Sequence, residues 1–128
     1  NQVIGDLVDS SDFLPTILET AGIETPPGFI MDGKSFYPQL KGEKGNPREW
    51  MFFHFDPMSP RDGNSSSPAA SRPSVRFVRG KRWKLYEDGR LYDLHNDRDE
   101  ESPILQTNDD SEKSTARKHL LDVFDQMS

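Results

Sequence analysis

Cysteine is absent from the 128 residues of this chain. Disulfides, catalytic thiols and cysteine-based zinc sites are therefore excluded, and the redox state of the compartment is left open. Hydrophobic residues make up only 32% of the sequence, and no apolar run approaches the roughly 20 residues that span a bilayer. The composition therefore predicts no transmembrane segment and no membrane partner.

Basic charge is also scarce, because 16 Lys and Arg residues face 22 Asp and Glu residues and leave a net charge of −6. A nucleic-acid-binding protein normally carries a basic face that neutralises phosphates. We therefore predict no nucleic-acid partner. The length suits one domain with a modest core. The chain starts at Asn1 rather than Met, with no stretch resembling a signal peptide, so we expect it to be a piece of a longer protein.

The most regular stretch covers residues 74–94, where three runs rich in aromatic and aliphatic side chains alternate with turn dipeptides. The glycines of Gly80-Lys81 and Asp88-Gly89 can readily take the positive φ that tight turns require. This pattern predicts an antiparallel three-stranded meander with one mostly apolar face and one basic and aromatic face. Residues 50–55 form the most apolar run and predict a further, buried strand.

Two segments have apolar residues at helical spacing, residues 9–22 and 109–127. Ser11 or Asp12 is predicted to cap the first helix, and Gly22 to end it. Residues 56–73 are rich in proline and serine and predict a long, mobile loop. The fold class is therefore α+β: a small antiparallel sheet of about four strands packed against a C-terminal helix, with another helix before it.

Three groups of residues in this order resemble the C-terminal end of a sulfatase of the alkaline-phosphatase superfamily. The first is Asp-Phe-Leu-Pro-Thr-Ile-Leu-Glu-Thr-Ala-Gly-Ile at 12–23, followed by Asp-Gly-Lys-Ser at 32–35 and Leu-Lys-Gly at 40–42. The second is the meander itself. The third is Leu-Tyr-Asp-Leu at 91–94 with Asn-Asp-Arg-Asp-Glu at 96–100, in which Arg98 stands where the family usually has proline.

This resemblance implies a large α/β catalytic domain followed by a smaller domain, in which a helix lies across a four-stranded antiparallel sheet. Residues 1–47 are then expected to be the tail of the catalytic domain, and residues 48–128 the small C-terminal domain. The parent protein is expected to be a sulfuric ester hydrolase, arylsulfatase-like, acting on a sulfated small molecule or a sulfated glycan. The resemblance implies that the parent protein is periplasmic or secreted.

Sulfatases of this family use a formylglycine, made from a Cys/Ser-x-Pro-x-Arg motif, and a divalent cation, here expected to be calcium. The resemblance places both in the parent, upstream of these residues, so the fragment alone is predicted to be inactive, with no catalytic residue or metal ligand. Ser71-Arg72-Pro73 begins like the motif, but the fifth position is Val75, so a loop entering a strand is favoured. The acids at 97–101 lack the EF-hand pattern, which favours a solvated turn.

The loop after the first C-terminal strand can border the substrate pocket in this family. That makes His54, Asp56 and Arg61 candidates to lie near the substrate. The alternative for His54 is a half-buried strand histidine bonded to its neighbours. His95 and His119 are predicted to be exposed and without a functional role.

Arg76, Arg82 and Lys84 are predicted to form a basic strip on one face of the sheet. The strip would either bind an anionic glycan or form ion pairs, and pairing is favoured because acidic residues are plentiful. The predicted acidic partners are Glu87, Asp93 and Asp122.

Three hypotheses remain open at this point. The first is an inert C-terminal fragment of a sulfatase, and the second is a stand-alone module that binds anionic glycans through the basic strip and residues 57–73. The third is another hydrolase of the superfamily, of phosphodiesterase or phosphoglycerate-mutase type. In an isolated fragment the helix at 12–22 would lose the sheet that it normally packs against, so Leu14, Ile17 and Leu18 would be exposed. We therefore predict that the helix rearranges or that the fragment forms a homo-oligomer.

Overall fold

The computed structural model describes residues 3–56 and 74–127, so most of the loop predicted at 56–73, including Arg61, lies outside the described residues. The chain divides into two compact units, Asn1–Met51 and Phe52–Ser128. The predicted division at residues 47 and 48 concerns the parent protein and stays a prediction. The described residues contain no candidate membrane-spanning helix.

The first unit is built around helix α1, Phe13–Thr20, which follows a short 3-10 turn at Ser10–Asp12. A second helix, α2, spans Tyr37–Leu40. Asp12 occupies the predicted N-cap position of α1, but its side chain does not bond to the first-turn amides, because a 3-10 turn precedes the helix. The Asp9 carboxylate instead accepts a hydrogen bond from the Ser11 amide at 2.9 Å, and the Asp12 carboxylate accepts one from the Asp9 amide at 2.8 Å.

The second unit contains a four-stranded antiparallel sheet in the order β1-β2-β3-β4. Its strands are β1 at Met51–Phe55, β2 at Val75–Arg79, β3 at Trp83–Tyr86 and β4 at Leu91–Asp93. Helix α3, Ser111–Met127, packs against β2 and β3. The predicted α+β class, meander and C-terminal helix are confirmed.

The core of this unit lies between the sheet and α3. Val78 pairs with Leu85 across β2 and β3, and Leu85 pairs with Leu91 across β3 and β4. All three side chains are fully buried, as are Leu120 and Val123 on the helix. Alternate residues of a strand point to opposite faces, so this apolar row fixes which residues of each strand face the helix.

The opposite face of the sheet carries a row of aromatic rings, one from each strand. The ring of Phe77 stacks on Phe53 at 4.7 Å and lies 5.5 Å from Tyr86, and Tyr86 lies 5.7 Å from Tyr92. Phe52, the neighbour of Phe53, turns to the helix side and meets Phe124 edge-on at 5.9 Å. The sheet therefore has an apolar face and an aromatic face, as the alternation predicts.

Candidate functional site

His54 and Asp56 lie at the end of β1, and both are exposed. His54 shares the helix-side face with Phe52, two residues earlier in the strand. Within the described part of the chain, the His54 side chain has no hydrogen-bond or ion-pair partner. The half-buried, bonded histidine favoured from the sequence is therefore wrong, because the strand has already left the core at this position. Arg61, the third predicted residue, lies outside the described residues.

The end of β1 belongs to one end of the sheet, which we call the turn end. Because neighbouring strands are antiparallel, the start of β2, the end of β3 and the start of β4 lie there as well. The Glu87 amide closes this end by donating a hydrogen bond to the Arg76 carbonyl at 3.1 Å. The turn end thus combines residues 54–56, 74–76 and 86–90.

A cleft of ≈ 310 Å³ opens at the turn end, between the start of β2 and the β3–β4 turn. Two ion pairs line it. Arg76 Nη1 lies 2.9 Å from Glu87 Oε1, and Arg90 Nε lies 2.8 Å from Asp88 Oδ2. Gly89 permits the turn through a φ of 88°. The lining therefore holds two guanidinium groups and two carboxylates.

Tyr86 lines this cleft, and its ring belongs to the aromatic face. Its hydroxyl donates to Glu100 Oε2 at 2.6 Å, and Lys84 Nζ donates to Glu100 Oε1 at 2.5 Å. Burial and the hydrogen bond to Glu100 raise the pKa of Tyr86. Although burial opposes it, the hydrogen bonds from Lys84 and Tyr86 lower the pKa of Glu100. The phenol thus stays protonated as a donor, and the carboxylate stays charged as an acceptor.

Glu100 has a φ of 58°, the one positive φ outside glycine among residues 3–56 and 74–127. A non-glycine residue in this conformation costs roughly 1–3 kcal/mol. The two hydrogen bonds from Lys84 and Tyr86 offset that strain by holding the carboxylate against the sheet. Sequence analysis placed Glu100 in a solvated turn and missed this role, since its partners are 14 and 16 residues away.

The predicted basic strip does not form on a single face. Arg79 pairs directly with Lys84, so Lys84 lies on the aromatic face while Arg76, one residue before Phe77, lies on the helix face. The ion pairing favoured from the sequence is confirmed for Glu87 with Arg76 and for Asp93 with Arg82. Asp122 is not the helix partner, because Glu112 reaches Arg82 at 2.6 Å.

Asp93, at the end of β4, organises the turn that follows it. Its carboxylate accepts hydrogen bonds from Arg82 at 3.0 and 2.8 Å, from the Asn96 side chain at 2.8 Å and from the His95 amide at 3.1 Å. The Arg82 guanidinium is the main reason that the pKa of Asp93 falls to about 2. Asp97 accepts the Glu101 and Ser102 amides, so these acids serve to shape the turn.

A buried ion pair organises the first unit. The Asp12 carboxylate accepts hydrogen bonds from Arg48 Nε at 2.8 Å and from the Lys34 amide at 2.7 Å. Although burial opposes ionisation, the hydrogen bonds from Arg48, Asp9 and Lys34 lower the pKa of Asp12. The sequence gives no local signal for this contact, because Arg48 and Asp12 are 36 residues apart.

Comparison with known proteins identifies the family. The family described as "N-sulphoglucosamine sulphohydrolase, C-terminal" matches residues 1–127. The chain belongs to this family. The resemblance noted in the sequence is thereby confirmed at the level of a sulfatase C-terminal domain. No curated protein matches the chain.

Solved structures similar to this chain include BT1596, a 2-O GAG sulfatase, with 27% identity and a TM-score of 0.61 over 88% of the chain. BT4656, solved with D-glucosamine-2-N,6-O-disulfate, shares the fold at 22% identity and a TM-score of 0.63 over 91% of the chain. The phosphonate monoester hydrolase SpPMH from Silicibacter pomeroyi has 26% identity and a TM-score of 0.52 over 91% of the chain. This domain covers 23% of each of those chains.

The described donors of this chain do not fit the metal site expected of a complete sulfatase. Within residues 3–56 and 74–127, no three His, Asp or Glu side chains are grouped so that they could hold a metal ion. The Asp and Glu side chains described above are instead bound by guanidinium, ammonium and amide groups. Cation and formylglycine chemistry therefore cannot be derived from these described residues.

Proposed function

We propose that this chain is the C-terminal part of a sulfatase whose complete form hydrolyses sulfate esters. The observation that carries the proposal is the family match, which runs from residue 1 to residue 127. The likeness to a 2-O GAG sulfatase at 27% identity supports it. Because the chain covers 23% of that relative, catalysis belongs to the remainder of the parent protein in this proposal.

In this proposal the formylglycine and a calcium ion lie upstream of the present residues. The 128-residue piece is structural and inactive by itself, since it has no cysteine and its Ser-x-Pro segment lacks the arginine at Val75. Its role is to hold the turn end of the sheet beside the substrate. The substrate is a sulfated small molecule, such as an aryl sulfate, or a sulfated glycan.

His54, Asp56 and Arg61 are proposed to contact the substrate. The exposure of His54 and Asp56 supports this for the two that are described. An imidazole that is bonded to no other described residue can still donate to or accept from a substrate oxygen. In the full-length enzyme His54→Ala should raise KM with little change in kcat, as expected for uniform binding. His119→Ala, on exposed helix surface, is the matched control, and an equal KM for His54→Ala and wild type would refute the contact.

The experiment that tests the proposed function starts from the reading frame around this chain. A Cys/Ser-x-Pro-x-Arg motif and an Asp-rich cation site upstream, together with sulfate release from 4-nitrophenyl sulfate or a sulfated disaccharide by the full-length protein, are the expected result. The 128-residue chain, assayed alone, should release no sulfate. A frame without these elements, or turnover by the isolated chain, would overturn the proposal.

A second candidate is another hydrolase of the same superfamily. The likeness to a phosphonate monoester hydrolase, at 26% identity, favours it. Parallel assays of the full-length protein with sulfate monoesters, phosphonate monoesters and phosphodiesters distinguish the two, because the preferred ester has the highest kcat/KM. The third hypothesis, a stand-alone glycan-binding module, would take the place of both if the reading frame begins near Asn1.

A further inference from the structure

We infer that Gln39 of α2 binds one buried water molecule in a small cavity of the first unit. The water donates a hydrogen bond to Gln39 Oε1 and accepts one from the Ser35 hydroxyl. This site depends only on described residues of the first unit, so it is independent of the ester that the parent protein cleaves.

The Gln39 side chain carries a buried acceptor that lacks a donor. Gln39 is 5% exposed, and its Oε1 atom accepts no hydrogen bond from any residue that the structure describes. Gly45 lies so close that a Cβ at that position would be 2.4 Å from this oxygen, so the carboxamide is enclosed on that side. A carbonyl that is buried without a donor loses its hydration with no compensating bond. It therefore needs a donor that the described residues do not supply.

The cavity lined by Gln39 has the size of one water molecule. Its volume is ≈ 10 Å³, and a cavity of roughly 10–15 Å³ on this measure holds a single water. A side chain from another protein or a group of a substrate is too large for such a space. The ligand is therefore a monatomic ion or one water molecule.

The charges around the cavity favour the neutral ligand. Arg48 lines the cavity, and its guanidinium is paired with the Asp12 carboxylate. Both oxygens of that carboxylate already accept hydrogen bonds, from Arg48 and from the Asp9 and Lys34 amides. A cation would thus lie beside a guanidinium with neutral oxygens as its ligands, although hard cations prefer carboxylates. A monatomic anion has no proton to donate to Gln39, whereas water has two.

Ser35 supplies the second partner of the water. Its hydroxyl oxygen accepts a hydrogen bond from the Tyr37 amide at 3.2 Å, while its proton is donated to no group in the described part of the chain. Ser35 lines the same cavity, and Asn46 adds another polar side chain to the lining. Buried waters make about three hydrogen bonds, so these groups suffice to hold one. The water thus joins α2 to the chain just before it.

The test is a crystal structure of this chain at a resolution that shows ordered water. It is combined with ¹⁷O magnetic relaxation dispersion in solution, which counts water molecules of long residence time. The expected result is a water oxygen at about 2.7–2.8 Å from Gln39 Oε1 and within hydrogen-bond distance of Ser35 Oγ. A protein donor bonded to Gln39 Oε1, a metal ion in the cavity, or no density there would overturn the inference.

Two variants test the partners of the water in solution. Gln39→Met removes the acceptor but keeps the length of the side chain, so the chain should lose about one long-lived water molecule. Ser35→Ala leaves Gln39 intact and should shorten the residence time of that water. Gln126→Met, the same substitution at an exposed position on α3, is the matched control and should keep the wild-type number. An unchanged number in Gln39→Met, or an equal loss in both methionine variants, would contradict the site.

Discussion

Arg117 donates two parallel hydrogen bonds to the carboxylate of Asp109, from Nε at 2.7 Å and from Nη2 at 3.0 Å. The two side chains are only 5% and 7% exposed. Arg117 also donates to the Gly89 carbonyl at 2.5 Å and to the Ile104 carbonyl at 3.0 Å. One buried guanidinium therefore joins α3, the β3–β4 turn and the segment that leads into α3.

Removing the Arg117 guanidinium should destabilise the chain more than a substitution at an exposed position. We expect Arg117→Ala to lower the free energy of unfolding by about 3–5 kcal/mol, since it leaves the Asp109 charge buried and unpaired. Urea denaturation of the chain measures the change. Lys118→Ala, the next residue and exposed, should stay within about 0.5 kcal/mol of wild type. Similar unfolding midpoints for the two variants would contradict this role of Arg117.

The low pKa of Asp93 predicts an acid-sensitive contribution to stability. Its folded pKa of about 2 lies below the value of 3.8 for an unperturbed aspartate. A depressed folded pKa stabilises the fold fully above the unfolded pKa, and the stabilisation is lost as pH falls through the folded value. Stability should therefore drop between about pH 4 and pH 2, and urea midpoints at half-unit pH steps measure the loss.

The Asp93→Asn variant isolates the contribution of this carboxylate. It should be less stable than wild type at pH 6, and its stability should fall less steeply between pH 4 and pH 2. Asp125→Asn, in an exposed position on α3, is the control and should keep the wild-type slope. A wild-type slope in Asp93→Asn would show that other groups cause the acid sensitivity.

In the first unit, the backbone of Gly33 lies close to the backbone of Ser11 and leaves no room for a side chain at position 33. A Cβ at this position would lie 2.0 Å from the Ser11 carbonyl oxygen. Gly33→Ala should therefore destabilise the unit by about 1–3 kcal/mol, the usual cost of overpacking. Hydrogen exchange of the α1 amides measures this local effect. Gly5→Ala is the matched control, because a Cβ at Gly5 has no heavy atom within 4 Å, and equal exchange rates in both variants would refute the argument.

Helix α1 leaves a large apolar surface uncovered in this chain. Leu14 and Ile17 are exposed, as expected for an isolated fragment, and Phe13 is exposed as well, whereas Leu18 is half-buried. We predict that the chain self-associates at micromolar to millimolar concentration, because exposed apolar surface favours burial against another copy. Sedimentation velocity should show a concentration-dependent rise in mass that Ile17→Lys abolishes. Glu19→Lys, on the opposite side of the helix, should leave association intact, and a strictly monomeric wild type would contradict the prediction.

The local sequence pattern was sufficient to predict the main helices and strands. The spacing of apolar residues gave α1 and α3, and the turn glycines gave the meander. The prediction of a single basic strip was wrong, because the register between two paired strands decides which of their residues share a face. Arg79 opposes Lys84, so odd-numbered residues of β2 share a face with even-numbered residues of β3. Alternation within one strand contains no information about that pairing.

The contacts that shape the candidate site could not be predicted for a related reason. Glu100 and Arg48 act through partners 16 and 36 residues away, and only the folded chain brings these groups together. Arg90 was not singled out, because its contact with the ring of Tyr86 is visible only in the folded chain. The family resemblance, by contrast, depends only on short sequence motifs. It could therefore be recognised from the sequence without the structure.

The spacing of the strands along the chain has a kinetic consequence. Residues 80–82 and 87–90 are short connections within the meander, whereas residues 56–74 separate β1 from β2. Closing a longer loop costs more chain entropy, so β2, β3 and β4 should associate before β1 is added. Truncating Leu85 would then slow folding, while truncating Phe53 would mainly speed unfolding. The edge strand that carries His54 would thus be the last part of the sheet to form and the first to separate.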